Sequence, residues 1–265
     1  MSALTRSLGD GVVVAKRNLI KIKRVPDLLV FTTLSPIMFV LLFGFVFGSA
    51  IDVAGGYREF LMAGIFAQTV VFGSTTTGAS LAEDLQKGVI DRFRSLPMSN
   101  TAVLVGRTFA DVVNNVIVIV VMSLTGLLIG WRIRSSVAEA AAAFALLLLF
   151  AFAISWVMAV VGLTVRTPEI VNNASFVVIF PITFIANTFV PLDNLPGPLK
   201  AFAEWNPLSS VTQAARTLFG NGPDAPAGAP WSLAHPAAYT VLWAVLILVI
   251  FVPLAVRMYS RAASR

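Results

Sequence analysis

Six apolar runs, each about as long as a helix needs to cross a bilayer, dictate what this chain can fold into. They are Leu28–Ala50, Phe60–Ala82, Ala102–Gly130, Ala138–Val165, Ile170–Val190 and Ala237–Val256. Hydrocarbon offers backbone groups no water, so such runs must satisfy their own N–H and C=O groups as helices. The expectation is an all-α membrane protein with six transmembrane helices. Composition agrees: 12% of residues are charged and mean hydropathy is +0.86. Soluble domains carry about a quarter charged residues. This chain could not cover a water-facing surface. Cysteine is absent, which removes disulfides, thiolate catalysis and cysteine-bound zinc.

An even number of spans puts both ends on one side. Of the 19 Lys and Arg, fourteen fall on the side that also holds the termini, and positive-inside bias makes that side cytoplasmic. The basic pI of about 10.2 therefore reports orientation, and no nucleic-acid partner is expected. The expected address is the plasma membrane of a bacterial cell, multi-pass, with lipid as a partner.

The chain reads as a single domain over residues 1–265. In residues 1–27, Leu8, Val12, Ala15, Leu19 and Ile22 recur at helical steps among Lys16, Lys21, Lys23 and Arg24. That is a basic amphipathic helix lying in the interface; a tail held loosely by anionic lipid is the alternative. The first apolar run is too long for the core of a cleaved leader, so a retained span is expected. The six-span bundle occupies 28–256 and a cytoplasmic tail 257–265. Trp131 and Tyr259 are expected at the interfaces, where amphipathic rings anchor.

The stretch "LAEDLQKGVIDRFRSLP" separates runs two and three. Leu81, Leu85, Val89, Phe93 and Leu96 make one apolar stripe at steps of four and three. Glu83, Asp84, Lys87, Asp91, Arg92 and Arg94 point elsewhere, and Pro97 stops the helix. A short amphipathic helix across the cytoplasmic face is predicted. Gly88 in its interior, about 1 kcal/mol worse than Ala, suggests close approach by another body. A solvated helix with no partner is the alternative. Arg107 and Asp111, at i and i+4, are predicted to pair as structural anchors.

On the opposite side, "VPLDNLPGPLKAFAEWNPLSSVTQAARTLFGNG" is too polar-faced to cross. Leu208, Val211, Ala215, Leu218 and Phe219 form a stripe after the Asn206-Pro207 break. One or two short helices lying on or dipping into the outer leaflet are expected to cap the outer mouth.

These stretches together, with the basic start, resemble the permease subunits of ABC-2 type exporters, most of all those of daunorubicin/doxorubicin resistance. The resemblance covers essentially the whole chain. It implies that Glu83, Gly88, Arg92, Arg94, Leu96 and Pro97 belong to a coupling helix docking on an ATPase subunit, with Asp84, Lys87 and Asp91 in the same segment. It places the outer gate signature on Pro191, Leu195, Pro196, Asn206 and Pro207. It also implies a permease dimer, homodimeric by expectation, with two ATPase copies, and export as the direction. The chain has no G-x-x-x-x-G-K-[ST] phosphate loop. It is thus expected to bind no cofactor itself and to perform no catalysis, with ATP and Mg held by the partner ATPase.

The expected cargo is hydrophobic or amphipathic, drug-like, polyketide-like or lipid-like; a lipid-linked or polysaccharide cargo is the alternative. An ion-coupled transporter fits less well, because acids such as Glu59, Asp111, Glu139 and Glu169 read as span-end residues and such machines use acids deep in the bilayer. A membrane enzyme lacks support: the one histidine, His235, has no base–nucleophile or ligand set around it. Among polar residues within the runs, Asn114, Asn115, Asn172, Asn173 and Asn187, with Phe176, are candidates for a substrate path. Interhelical packing explains most such groups equally well.

Overall fold

The computed structural model describes residues 26–47, 53, 55–88, 100–165, 167–222 and 229–262. The basic N-terminal segment lies outside the described residues, as do Asp91, Arg92, Arg94, Leu96 and Pro97. Within them every regular element is a helix, and there is no strand.

Helix α1 (Pro26–Leu41) runs into a π-helical turn, Leu42–Phe47. Helix α2 (Tyr57–Gly73) continues past a bend at Ser74 into α3 (Thr75–Gln86), and the two form one 30-residue rod. Then come α4 (Asn100–Leu128), α5 (Val137–Thr164) and α6 (Pro168–Ile185). Short helices α7 (Gly197–Trp205), α8 (Pro207–Leu218) and α9 (Trp231–Ala234) precede the long α10 (Pro236–Ala262). Among the described residues, five helices are long and apolar enough to cross a membrane: α2–α3, α4, α5, α6 and α10.

Helix α5 is the hub and packs against α10, α3, α8, α4 and α2. Its buried face carries Ala140, Ala143, Ala151, Ala153, Ala159 and Gly162. Small side chains let backbones approach, which is how helices gain contact in lipid. At Gly162 the approach reaches the Gly78 backbone of α3. The rod α2–α3 is the most enclosed span, 78% buried, yet its hydropathy of 1.3 is the lowest of the five. Protein, not lipid, surrounds it, so it can carry Gln68 and the Ser74–Thr77 run.

That run also explains the bend. Ser74 donates to the Val70 carbonyl (2.8 Å) and to Ala151 of α5 (3.0 Å), while Thr75 and Thr76 donate to Phe72 and Gly73. Hydroxyls competing for carbonyls of the preceding turn bend helices.

Helix α5 starts on a capping box in which Ser136 and Glu139 bond each other's backbone N–H. Ser136→Ala should cost about 1 kcal/mol, read as a lower thermal midpoint in detergent; an unchanged midpoint would mean tertiary packing alone sets this terminus. Pro168 occupies the first turn of α6 behind a Thr167 cap, as its position in the short turn suggests.

Several expectations need correction. The fifth apolar run was expected to reach Val190, but α6 ends at Ile185, and Ala186–Phe189 form a buried turn that folds onto Gly64 of α2. Gly88 is not inside a helix: at φ 63 it lies just beyond the end of α3, in the left-handed geometry glycine adopts most easily. Trp131 and Tyr259 are not interfacial anchors, being 1% and 2% exposed. Asn221, just past α8, covers Trp131 and accepts its Nε1–H at 2.8 Å. Trp205 and Trp231, both about half exposed, take the amphipathic positions at that end instead.

Candidate transport site

A cavity of about 370 Å³ lies between α1, α2–α3, α4 and α6. One wall is polar: Gln68 and Thr69 of α2, Thr75 and Thr76 of α3, Asn114 and Asn115 of α4. The other is aromatic, with Phe39, Phe72, Phe176 and Phe180. Gly73 leaves room for the Asn115 side chain, since a Cβ there would stand 2.5 Å from Asn115 Oδ1. Asn115 is 1% exposed, and its Oδ1 has no hydrogen-bond partner.

The end of the bundle that holds Gly88 is tied by charge. Arg107 of α4 does not pair with Asp111; it donates to Asp84 of α3, both side chains being largely buried. The i, i+4 spacing permits the predicted pair, but the packed neighbouring rod brings a carboxylate to the guanidinium first. Asp111 accepts instead from Thr76 (3.0 Å), Thr77 and Ser155 (3.3 Å). It sits inside the bundle, about 12 Å along α4 from Val103, and is 9% exposed. It is therefore not a span-end acid, contrary to the sequence expectation. At the end of α3, Lys87 pairs with Glu83 at i, i+4, and that hydrogen bond raises the lysine above its ordinary value.

The opposite end is closed by α7 and α8. One or two short helices were expected to lie on or dip into the outer leaflet; of the short helices here, α8 wedges between α2, α5 and α10 and buries most of its length. Asn206 sets its start, accepting from Leu208 N (2.9 Å) and donating to Ile182 O of α6 (2.9 Å), with Pro207 in the first turn. Near its end Arg216, 1% exposed, donates to the carbonyls of Phe60 (3.1 and 3.2 Å) and Asn187 (2.9 Å) and to Gln213 (3.1 Å). Its guanidinium stacks 3.6 Å from the Phe60 ring. Burial lowers Arg216 to about 9, which still leaves it charged at neutral pH. Glu59 of α2 accepts a forked pair from Arg134 (2.5 and 2.8 Å) and a hydrogen bond from the Asn221 side-chain N–H (3.1 Å). The Glu59 bond raises Arg134 above its usual value.

The sequence-predicted residues thus separate into groups. Asn114, Asn115 and Phe176 meet in the cavity. Asn172 and Asn173 lie on the exposed face of α6, and Asn187 belongs to the α8 closure. Pro191, Leu195 and Pro196 lead into α7, and Asn206 and Pro207 begin α8. Glu83, Asp84, Lys87 and Gly88 finish the rod. Gln68, Thr69, Phe72, Phe180 and Arg216 were not marked as site residues; the polar run around Gln68 was visible, but nothing in the chain says which residues share a cavity. Among the described residues no cluster of His and acids could hold a metal, and His235 stacks on Trp231 at 5.8 Å.

The comparisons with known proteins point the same way as the geometry. Over 203 residues the chain is 35% identical to a daunorubicin resistance ABC transporter permease protein, DrrB1, of Streptomyces coeruleorubidus, covering 76% of this chain and 72% of the relative. It is 25% identical over 234 residues to a Mycobacterium tuberculosis relative named "Probable doxorubicin resistance ABC transporter permease protein DrrC", covering 86% and 80%. The family model for the ABC-2 type transporter matches residues 11–219. A multi-pass helical bundle with this match and these relatives belongs to the ABC-2 type transporter family of membrane permeases.

Proposed function

We propose that this permease is the membrane subunit of an ATP-driven exporter of hydrophobic or amphipathic, drug-like compounds. A second copy of the permease and two copies of a separate ATPase complete it, in a bacterial plasma membrane. The sixth span is α1 with its π turn, so both termini and the Gly88 end face the cytoplasm and α7–α8 cap the outer mouth. The whole chain then acts as one transmembrane domain.

The observation that carries this reading is the rod α2–α3. One end holds Asp84 and Gly88, next to the charged segment the family resemblance assigns to ATPase docking. Its middle, from Gln68 to Thr76, forms the polar wall of the cavity. A push on the Gly88 end has a direct route to that wall, because Asp84–Arg107 and the Gly78–Gly162 contact bind the rod to α4 and α5. The bend at Ser74 lies where the rod meets the cavity and offers a hinge.

The test is the double substitution Arg92→Glu/Arg94→Glu, co-expressed with the cognate ATPase. Charge reversal at a docking helix should remove most of the co-purified ATPase and reduce ATP-dependent efflux at least tenfold, with the permease still extracted as a monodisperse species. Normal assembly and efflux would remove the docking role.

A further inference from the structure

At the end of the bundle opposite Gly88 the sequence places five basic residues: Arg58, Arg132, Arg134, Lys200 and Arg216. Three are committed to the protein: Arg216 is buried, Arg134 is forked onto Glu59, and Lys200 pairs with Asp193 at 2.6 Å. Arg58 and Arg132 differ. Both are exposed, and neither has an acidic partner among the described residues. Arg58 donates from Nε to Gly44 O (3.4 Å) and from Nη1 to Ile129 O (3.2 Å). Arg132 donates from Nη1 to Leu127 O (2.7 Å) and Trp131 O (2.8 Å). The carbonyls around the end of α4, its negative pole, thus draw both guanidinium groups to one place. Donors are left over: Nη2 of Arg58, and Nε and Nη2 of Arg132, have no hydrogen-bond partner among the described residues. The neighbouring acids are engaged elsewhere, Glu59 by Arg134 and Asn221, and Glu139 by the Ser136 cap.

The surface beside these arginines is apolar. The Arg58 guanidinium lies 4.5 Å from the centre of the Phe45 ring, and Gly44 lies against Ile129. Phe45, Val46 and Leu128 are exposed there, Leu128 at 88%. Unspent guanidinium N–H groups suit phosphate, which they grip in forked pairs. Exposed hydrocarbon at the same level suits an acyl chain and offers nothing to a free phosphate. A phospholipid carries both parts. A zwitterionic headgroup would bring its own cation toward two arginines, whereas an anionic one brings none.

We propose that Arg58 and Arg132 bind the phosphate of an anionic phospholipid whose acyl chain lies along Phe45, Val46 and Leu128. Under the topology above this lipid belongs to the outer leaflet, but the grouping of residues holds whichever way cargo moves. The bound headgroup bridges the start of α2 and the end of α4, two of the spans that enclose the cavity.

The test uses the full-length permease without the ATPase, with Leu128→Cys as the single cysteine carrying a bimane. It is placed in phosphatidylcholine vesicles containing phosphatidylglycerol or phosphatidylcholine with a nitroxide on the acyl chain. Quenching by the phosphatidylglycerol should half-saturate at a mole fraction at least about fivefold lower than by the phosphatidylcholine. Arg58→Gln/Arg132→Gln should remove that preference and Lys200→Gln should keep it, while added salt should reduce it. A bimane at Val249→Cys, exposed in the middle of α10, should show no preference. If the double variant fails to fold, the single variants decide, each expected to lose a substantial part of the preference. Equal quenching by the two lipids at position 128, or the same preference at 249, would overturn the proposal. So would a preference that survives the glutamine substitutions, or its displacement by inorganic phosphate at fixed ionic strength. Neither outcome bears on the docking of the ATPase, and failure of the Arg92/Arg94 test leaves this site intact.

Discussion

Gly162→Leu is expected to yield no folded permease. Gly162 of α5 faces Gly78 of α3, and even a Cβ at 162 would overlap the Gly78 carbonyl, carbon and Cα. Gly78 is enclosed on its own account: a Cβ there would lie 2.6 Å from the Met158 carbonyl. Backbone cannot rotate out of the way as a side chain can. Overpacking of an ordinary core costs about 1–3 kcal/mol, and a whole isobutyl group forced between two helix backbones should exceed that. Gly162→Ala, with one methyl, should already lower the thermal midpoint strongly. Gly126→Ala is the internal control. Its added Cβ would meet the Met62 methyl at 2.6 Å and the Trp131 ring at 3.1 Å; the methyl is the far end of a flexible side chain and the ring must give by only a few tenths of an ångström, so its loss should stay well below that of Gly162→Ala. Monodisperse yield and thermal midpoint in detergent read both. If Gly162→Leu folds as well as Gly126→Ala, the helices do not approach as closely as described, and the rod is not held to α5 there.

Arg216→Met should loosen the α8 closure by about 2–4 kcal/mol, since each buried carbonyl left without a donor costs about 1–3 kcal/mol. Methionine keeps much of the apolar stem but drops the fork that bridges Phe60 O and Asn187 O and the face laid on Phe60. Arg216→Lys retains charge but has a single nitrogen in place of the planar fork, so it should recover only part of the loss. The measurement is the thermal midpoint, together with accessibility of cysteines introduced singly along α8; the cysteine-free chain makes that labelling clean. Met and wild type labelling alike at the same midpoint would mean that Asn206 and the packing of α8 suffice. The effect should also exceed that of breaking Lys200–Asp193, where both partners are substantially exposed and solvent screens the pair.

The spans were legible because lipid imposes a length and a composition on anything that crosses it. Starts and stops of α4 and α5 lie within two residues of their apolar runs. The end of α6 was not legible, because Ala186–Val190 reads much like the span before it; a buried turn in contact with Gly64 ends the helix instead. The Arg107 partner was misread for a related reason. Spacing ranks neighbours on one helix, whereas Asp84 arrives from another. Gly88 shows the same limit: a glycine costs a helix in the same way wherever it sits, and only the backbone angle shows that it lies past the end.

The amino-acid sequence by itself determined that this chain lives in a bilayer as a helical bundle, with charge gathered at one end and a polar capping segment near the other. The solvent enforces those features residue by residue, so they can be read locally. Only the tertiary structure decided that Gln68, Asn115 and Phe180 face one space, that Arg216 holds α8 to α2, and that Asp111 is enclosed by hydroxyls from two other helices. Such groupings arise from which backbones can come close, and the small residues that permit it carry no mark of their partner.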